Sequence, residues 1–103
     1  MKLVLSLVAT GCLFVGGAFA AQINGYVSES MCGAKHSTVS KANTQCIEKC
    51  LKGGSSPVLV RNGQVYTFDA ASQHKAARHA GQEVKINGTE SGNTIHIKSI
   101  KKG

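Results

Sequence analysis

No tryptophan occurs in this chain, and its aromatics stop at two tyrosines and three phenylalanines. Phe14 and Phe19 lie in the first twenty residues, so the rest has only Tyr26, Tyr66 and Phe68 to fill a core. So thin a supply, in a domain near the lower size limit for an unaided hydrophobic core, predicts a covalent or metal staple. Acids are scarce as well: five Asp and Glu face twelve Lys and Arg, for a net charge of +7. Charge of that sign attracts anionic surfaces such as phospholipid headgroups, acidic polysaccharide or nucleic acid. The lysines are scattered apart from Lys101-Lys102, the pattern of a solvated face. Internal repeats, low-complexity tracts and linkers are all missing, which leaves a single domain.

Nor is any apolar run long enough to span a bilayer, which takes about 20 residues at helical rise. Leu3 to Val15 is shorter; Lys2 precedes it, and Gly16-Gly17 and Ala18-Phe19-Ala20 follow. A positive start, an apolar stretch and a small-x-small tripeptide, in that order, are the parts of a secretory signal peptide. Residues 1–20 are therefore expected to be removed by cleavage between Ala20 and Ala21, leaving 21–103 in the periplasm or outside the cell. Two other uses of the segment stay open: a retained anchor, and lipidation at Cys12, which would leave an unusually short apolar region. For an exported protein nucleic acid is the least accessible anionic partner, and an anionic envelope polymer is the more accessible one.

Beyond the leader, Gln22 to Ser28 reads as a strand with Ile23 and Val27 on one face. Gly25 on that face signals a bulge or a close backbone approach. Alternation is lost from Ser30 to Lys52, where Gln45 to Lys52 reads as a short helix ended by Gly53-Gly54. Val58 to Arg61 and Gln64 to Phe68 flank Asn62-Gly63, the residue pair that a two-residue type I′ hairpin requires. This predicts Val60 opposite Val65 and Leu59 opposite Tyr66. Asp69 or Ser72 can cap a helix running to about Ala80, with Gly81 after it and Ala76, Ala77 and Ala80 on its apolar face. Glu83 to Glu90 and Thr94 to Ile100 alternate around Ser91-Gly92-Asn93 as a second hairpin. The expected class is mainly β (α+β): a small five-stranded OB-like barrel with a short cysteine-bearing helix after strand 1 and a helix between strands 3 and 4. An open five-stranded α+β sheet is the alternative.

The chemistry is concentrated in one segment. Cys32 and His36, and Cys46 and Cys50, are two pairs at i, i+4, a spacing that puts side chains on one helix face. Two such pairs facing each other make a Cys3His set suited to tetrahedral Zn²⁺, with copper(I) as a second candidate and Met31 as an extra thioether. An exported protein meets an oxidising compartment, so a disulfide competes with the metal. Cys32 joined to Cys46 or Cys50 would close a loop of about 15 to 20 residues and contribute roughly 3 kcal/mol. Three cysteines cannot all pair within one chain, and the spare one then needs a metal, a second chain or a reactive role. The reactive version rests on His36 lowering the pKa of Cys32. It lacks an oxyanion donor set, a third orienting residue and a CxxC pair, so an enzyme is the less favoured reading. His74, His79 and His96 read as surface residues.

The run Gly25-Tyr26-Val27-Ser28-Glu29-Ser30-Met31-Cys32-Gly33-Ala34-Lys35-His36, with Cys46 and Cys50 after it, resembles a family of small exported bacterial proteins without an assigned activity. The family's opening reads Gly-Tyr, Val or Ile, Ser, an acid, two residues, Cys-Gly, two residues and His. Its closing segment is matched here by Ala80-Gly81-Gln82-Glu83-Val84-Lys85-Ile86-Asn87-Gly88-Thr89. The likeness covers nearly all of residues 21–103. It implies a bacterial source, an envelope or secreted location, and Cys32, His36, Cys46 and Cys50 acting as a set; it implies no activity.

The reading that joins these observations is an exported, non-enzymatic domain holding a structural zinc ion on Cys32, His36, Cys46 and Cys50. A disulfide-stapled basic module for an anionic envelope ligand and a thiol-redox or copper-handling protein are its rivals.

Overall fold

The computed structural model describes residues 19–103, with side chains from Ala21 onward. The expected leader and Cys12 lie outside the described residues, apart from the backbone of Phe19 and Ala20. No helix among the described residues is long and apolar enough to cross a membrane.

Among the described residues five strands and two α-helices follow one another as β1 (Phe19–Glu29), α1 (Lys41–Lys52), β2 (Pro57–Arg61), β3 (Gln64–Phe68), α2 (Ala70–Ala77), β4 (Glu83–Ser91) and β5 (Thr94–Lys102). The strands close into a ring in the order β1-β2-β3-β5-β4, so β1 pairs with both β2 and β4. The ring closes where Thr67 and Phe68 pair in parallel with Thr94 and Ile95. Closure disposes of the open-sheet alternative and removes free sheet edges.

Both hairpins follow from local chemistry. Asn62 (φ 53°) and Gly63 (φ 77°) take the positive φ of a type I′ turn, and Val60 faces Val65 while Leu59 faces Tyr66, as expected. Gly92 (φ 60°) turns the second hairpin, where Ser91 faces Thr94.

Alternation sorts the apolar residues into two clusters. Ile23, Val27, Leu59, Tyr66, Phe68, Val84, Ile86, Ile95 and Ile97 form the main core, with Ala76 of α2 packed against it. Residues of the opposite parity, Tyr26 and Val60, form a second cluster with Ile47 of α1 and Ala80, and Leu51 leans against it. Gly25 lets β1 approach β2: a Cβ there would lie 2.7 Å from Leu59 Cγ and 2.9 Å from the Val60 carbonyl oxygen. Close approach is thus the meaning of that glycine.

Several boundaries differ from expectation. β1 extends three residues earlier and one later than 22–28, because Phe19, Ala20 and Ala21 find backbone partners in Glu90, Thr89 and Gly88. The strand therefore crosses the expected cleavage bond. α1 starts at Lys41 rather than Gln45, since the Ser40 hydroxyl accepts the Asn43 N–H at 3.0 Å and caps it. α2 stops at Ala77 rather than near Ala80. There the His79 and Ala80 N–H groups bond three residues back, and Gly81 (φ 77°) turns its own N–H to the Val27 carbonyl. Cys32 and His36 are not on an α-helix: they flank a 3₁₀ turn at Gly33–Lys35.

Candidate metal centre

The loop after β1 folds around a buried carboxylate. Glu29 is fully buried at the end of β1, where it faces Pro57 across the strand pair. Its Oε1 accepts the Met31 N–H at 2.7 Å and its Oε2 accepts the Cys32 N–H at 3.0 Å. Ser28 ties down the same loop by donating from Oγ to the Gly33 carbonyl at 2.8 Å. Burial works against the Glu29 charge, but the Met31 and Cys32 N–H groups, the Cys32 thiol and the Ser55 hydroxyl outweigh it and lower its pKa. The carboxylate is therefore ionised, and no lysine, arginine or histidine forms an ion pair with it among the described residues. A buried anion without a cationic partner is costly unless a cation joins it.

Donors gather around that charge. Glu29, Cys32 and His36 present ligand atoms within 4.8 Å of one another. Cys50 reaches the same carboxylate from α1. Its thiol is raised in pKa by burial and by the neighbouring Glu29 and Cys46. The Cys32 thiol is raised by its hydrogen bond to Glu29, by burial and by that carboxylate's charge. Cys46 stands one turn before Cys50 against its thiol, and it is exposed where Cys32 and Cys50 are half-buried. All three described cysteines are free.

His36 is prepared for one particular role. Its Nδ1 lies 3.1 Å from Asn43 Oδ1, and the Asn43 amide is oriented by its own Nδ2 donating to the Thr38 carbonyl at 2.8 Å. Asn43 Oδ1 can then only accept, so in the neutral ring the proton sits on Nδ1 and the lone pair on Nε2. An imidazole whose second nitrogen donates to a carbonyl is the arrangement that orients histidine ligands on metals. Chain order makes this cheap, because the residue that orients His36 sits on the first turn of the helix carrying Cys46 and Cys50.

Of the four residues picked out by spacing, the fold brings Cys32 and His36 together directly, brings Cys50 to their carboxylate neighbour, and leaves Cys46 at the rim. Sequence reasoning missed Glu29. The available signal was its rarity, one of five acids in a basic chain, placed three residues before Cys32. The remaining histidines lie elsewhere. His74 is exposed, His79 pairs with Gln82, and His96 Nδ1 lies 2.7 Å from Asp69 Oδ2.

The chain matches no protein-family model, no curated protein and no solved structure.

Proposed function

We propose that this protein is a small exported metal-binding domain, with zinc held by Cys32, His36, Cys50 and Glu29 on an OB-like scaffold. The observation that carries this reading is the meeting of Glu29, Cys32 and His36 within 4.8 Å around a buried, unpaired negative charge. Mixed sulfur, nitrogen and oxygen donors in a set of four suit tetrahedral Zn²⁺, and the set leaves no coordination position for catalysis. Glu29 takes the place that spacing alone assigns to Cys46, because it is buried among the donors and Cys46 is not. The strand order β1-β2-β3-β5-β4 with α2 between β3 and β4 supports the OB-like scaffold.

The ion would act as a staple. Of the twelve residues of α1 only Ile47 is buried, and a helix of that length is marginal on its own. A bond from Cys50 to an ion shared with Cys32 and His36 fixes α1 to the loop after β1.

The test is the zinc content of protein loaded with Zn(II) and dialysed. Wild type and His74→Ala should retain zinc, while Cys32→Ala and His36→Ala should lose it. Retention by Cys32→Ala and His36→Ala, or a zinc-free wild type, would overturn the reading.

A further inference from the structure

We infer that Cys46 is a transfer ligand, an exposed thiol that hands a thiophilic metal ion into and out of the site formed by Cys32, His36, Cys50 and Glu29. The inference rests on the metal-binding reading above and adds the ion's route.

Glu29, Cys32 and His36 meet directly, Cys50 lies against Glu29 and Cys46 lies against Cys50, so five donor groups are available where a tetrahedral ion needs about four. They are graded by depth. Glu29 is fully buried, Cys32, His36 and Cys50 are half-buried, and Cys46 is exposed on α1. The surplus donor is therefore the one that faces solvent. Being one helical turn from Cys50, Cys46 can engage an ion that Cys50 also holds. Zinc tolerates a fifth ligand in passing, so a spare thiolate beside it opens an associative route for exchange. Holding that thiolate on the same helix replaces a collision with an intramolecular step.

Two further features favour exchange at this rim. Met31, next to Cys32 in the loop, is 77% exposed, so a second soft sulfur faces solvent beside a ligand residue. The helix that carries Cys46 packs through Ile47 and Leu51 on the second cluster, away from the main core, and leaves Cys46 on its solvent face.

In the transfer step the Cys46 thiol would release its proton to water and its sulfur would bond the ion as a passing fifth ligand beside Cys50. An outside thiol or chelator then bonds the ion, the bonds to Cys46 and the remaining ligands break, and the cysteines take up protons. No electron changes hands.

The experiment compares zinc-loaded wild type, Cys46→Ala and Cys46→Ser. Transfer of Zn(II) to a chromophoric chelator is followed by absorbance, and bound zinc is measured beside it. Alanine is the best helix former and serine a close isostere, so both variants keep α1. The expected result is wild-type zinc content with several-fold slower transfer in both. A second readout is alkylation mapped by mass spectrometry: in zinc-loaded wild type Cys46 should react while Cys32 and Cys50 stay protected. Unchanged transfer rates would overturn the inference. So would loss of zinc from both variants, which would make Cys46 a fixed ligand and leave the metal-binding reading standing. A wild type that binds no zinc would remove that reading itself, and the two failures are therefore distinguishable.

Discussion

Tyr26 is the residue whose chemistry is least satisfied. It is 1% exposed within the second cluster, and its hydroxyl has no hydrogen-bond partner among the described residues. Burial, aided by the Glu83 charge, raises its pKa, so the hydroxyl stays protonated. An unpartnered buried hydroxyl costs about 1–3 kcal/mol, so removing it should help the fold. Tyr26→Phe should therefore be at least as stable as wild type, by up to about 1 kcal/mol in urea unfolding. A clear loss of stability would show that the hydroxyl has a partner after all. Alternation in β1 puts Tyr26 on the face opposite Ile23 and Val27, and it is buried there because Ile47 of α1 joins the cluster on that face. Its lack of a partner depends on Ile47, Val60 and Ala80, which come from three other parts of the chain.

Among the elements, α2 shows how one residue can serve two ends. Asp69 caps the helix by accepting the Ser72 N–H at 3.0 Å and also meets His96 of β5. Its pKa is lowered by Ser72 first, with His96 adding to the effect and burial opposing it. A carboxyl whose folded pKa is depressed stabilises the fold above its unfolded value, near 4, and loses that contribution as pH falls through the folded value. Urea midpoints should therefore fall below about pH 4 in part because of Asp69. Asp69→Asn keeps a capping oxygen but does not titrate, so its acid limb should be flatter. Asp69→Ala should cost about 1 kcal/mol at neutral pH through the lost cap. Equal acid limbs in wild type and Asp69→Asn would show that other carboxyls control this range. Asp69 was legible as a cap from its place before Ser72, whereas His96, 27 residues away, was not.

For the whole molecule, the proposed staple and the thin core belong together. The main core is built mostly of aliphatic side chains, with Tyr66 and Phe68 as its aromatics. Its outer layer under α1 holds only four buried residues. A bound ion should then change global stability by mass action. Free Zn(II) at about 100 times its dissociation constant contributes about 2.7 kcal/mol, which is roughly 10–20 °C in Tm for a domain of this size. Calorimetry with zinc and with a strong chelator should show that gap in wild type and lose it in Cys32→Ala. A chelator-independent Tm would mean that α1 is held by Ile47 and Leu51 alone.

The sequence by itself determined whatever depends on neighbours along the chain. Asn62-Gly63 set the hairpin register because few residue pairs accept two positive φ angles. Period-two alternation placed Ile23, Val27, Val84, Ile86, Ile95 and Ile97 inside, because successive strand side chains point to opposite faces. The crowding of Cys32, His36, Cys46 and Cys50 into one segment marked where chemistry would lie. Only the tertiary structure decided which donors meet. Cys32 and His36 converge through a 3₁₀ turn and a loop wrapped on a carboxylate, not through a helix face, and that geometry rests on backbone bonds no spacing rule contains. Glu29 ends β1 opposite Pro57 of β2, and α1 packs on the same strand through Ile47 against Tyr26. The same packing leaves Cys46 in solvent and turns Cys50 inward. Cys50 and Glu29 lie 21 residues apart and meet only when α1 packs on β1, a contact that no local pattern along the chain contains.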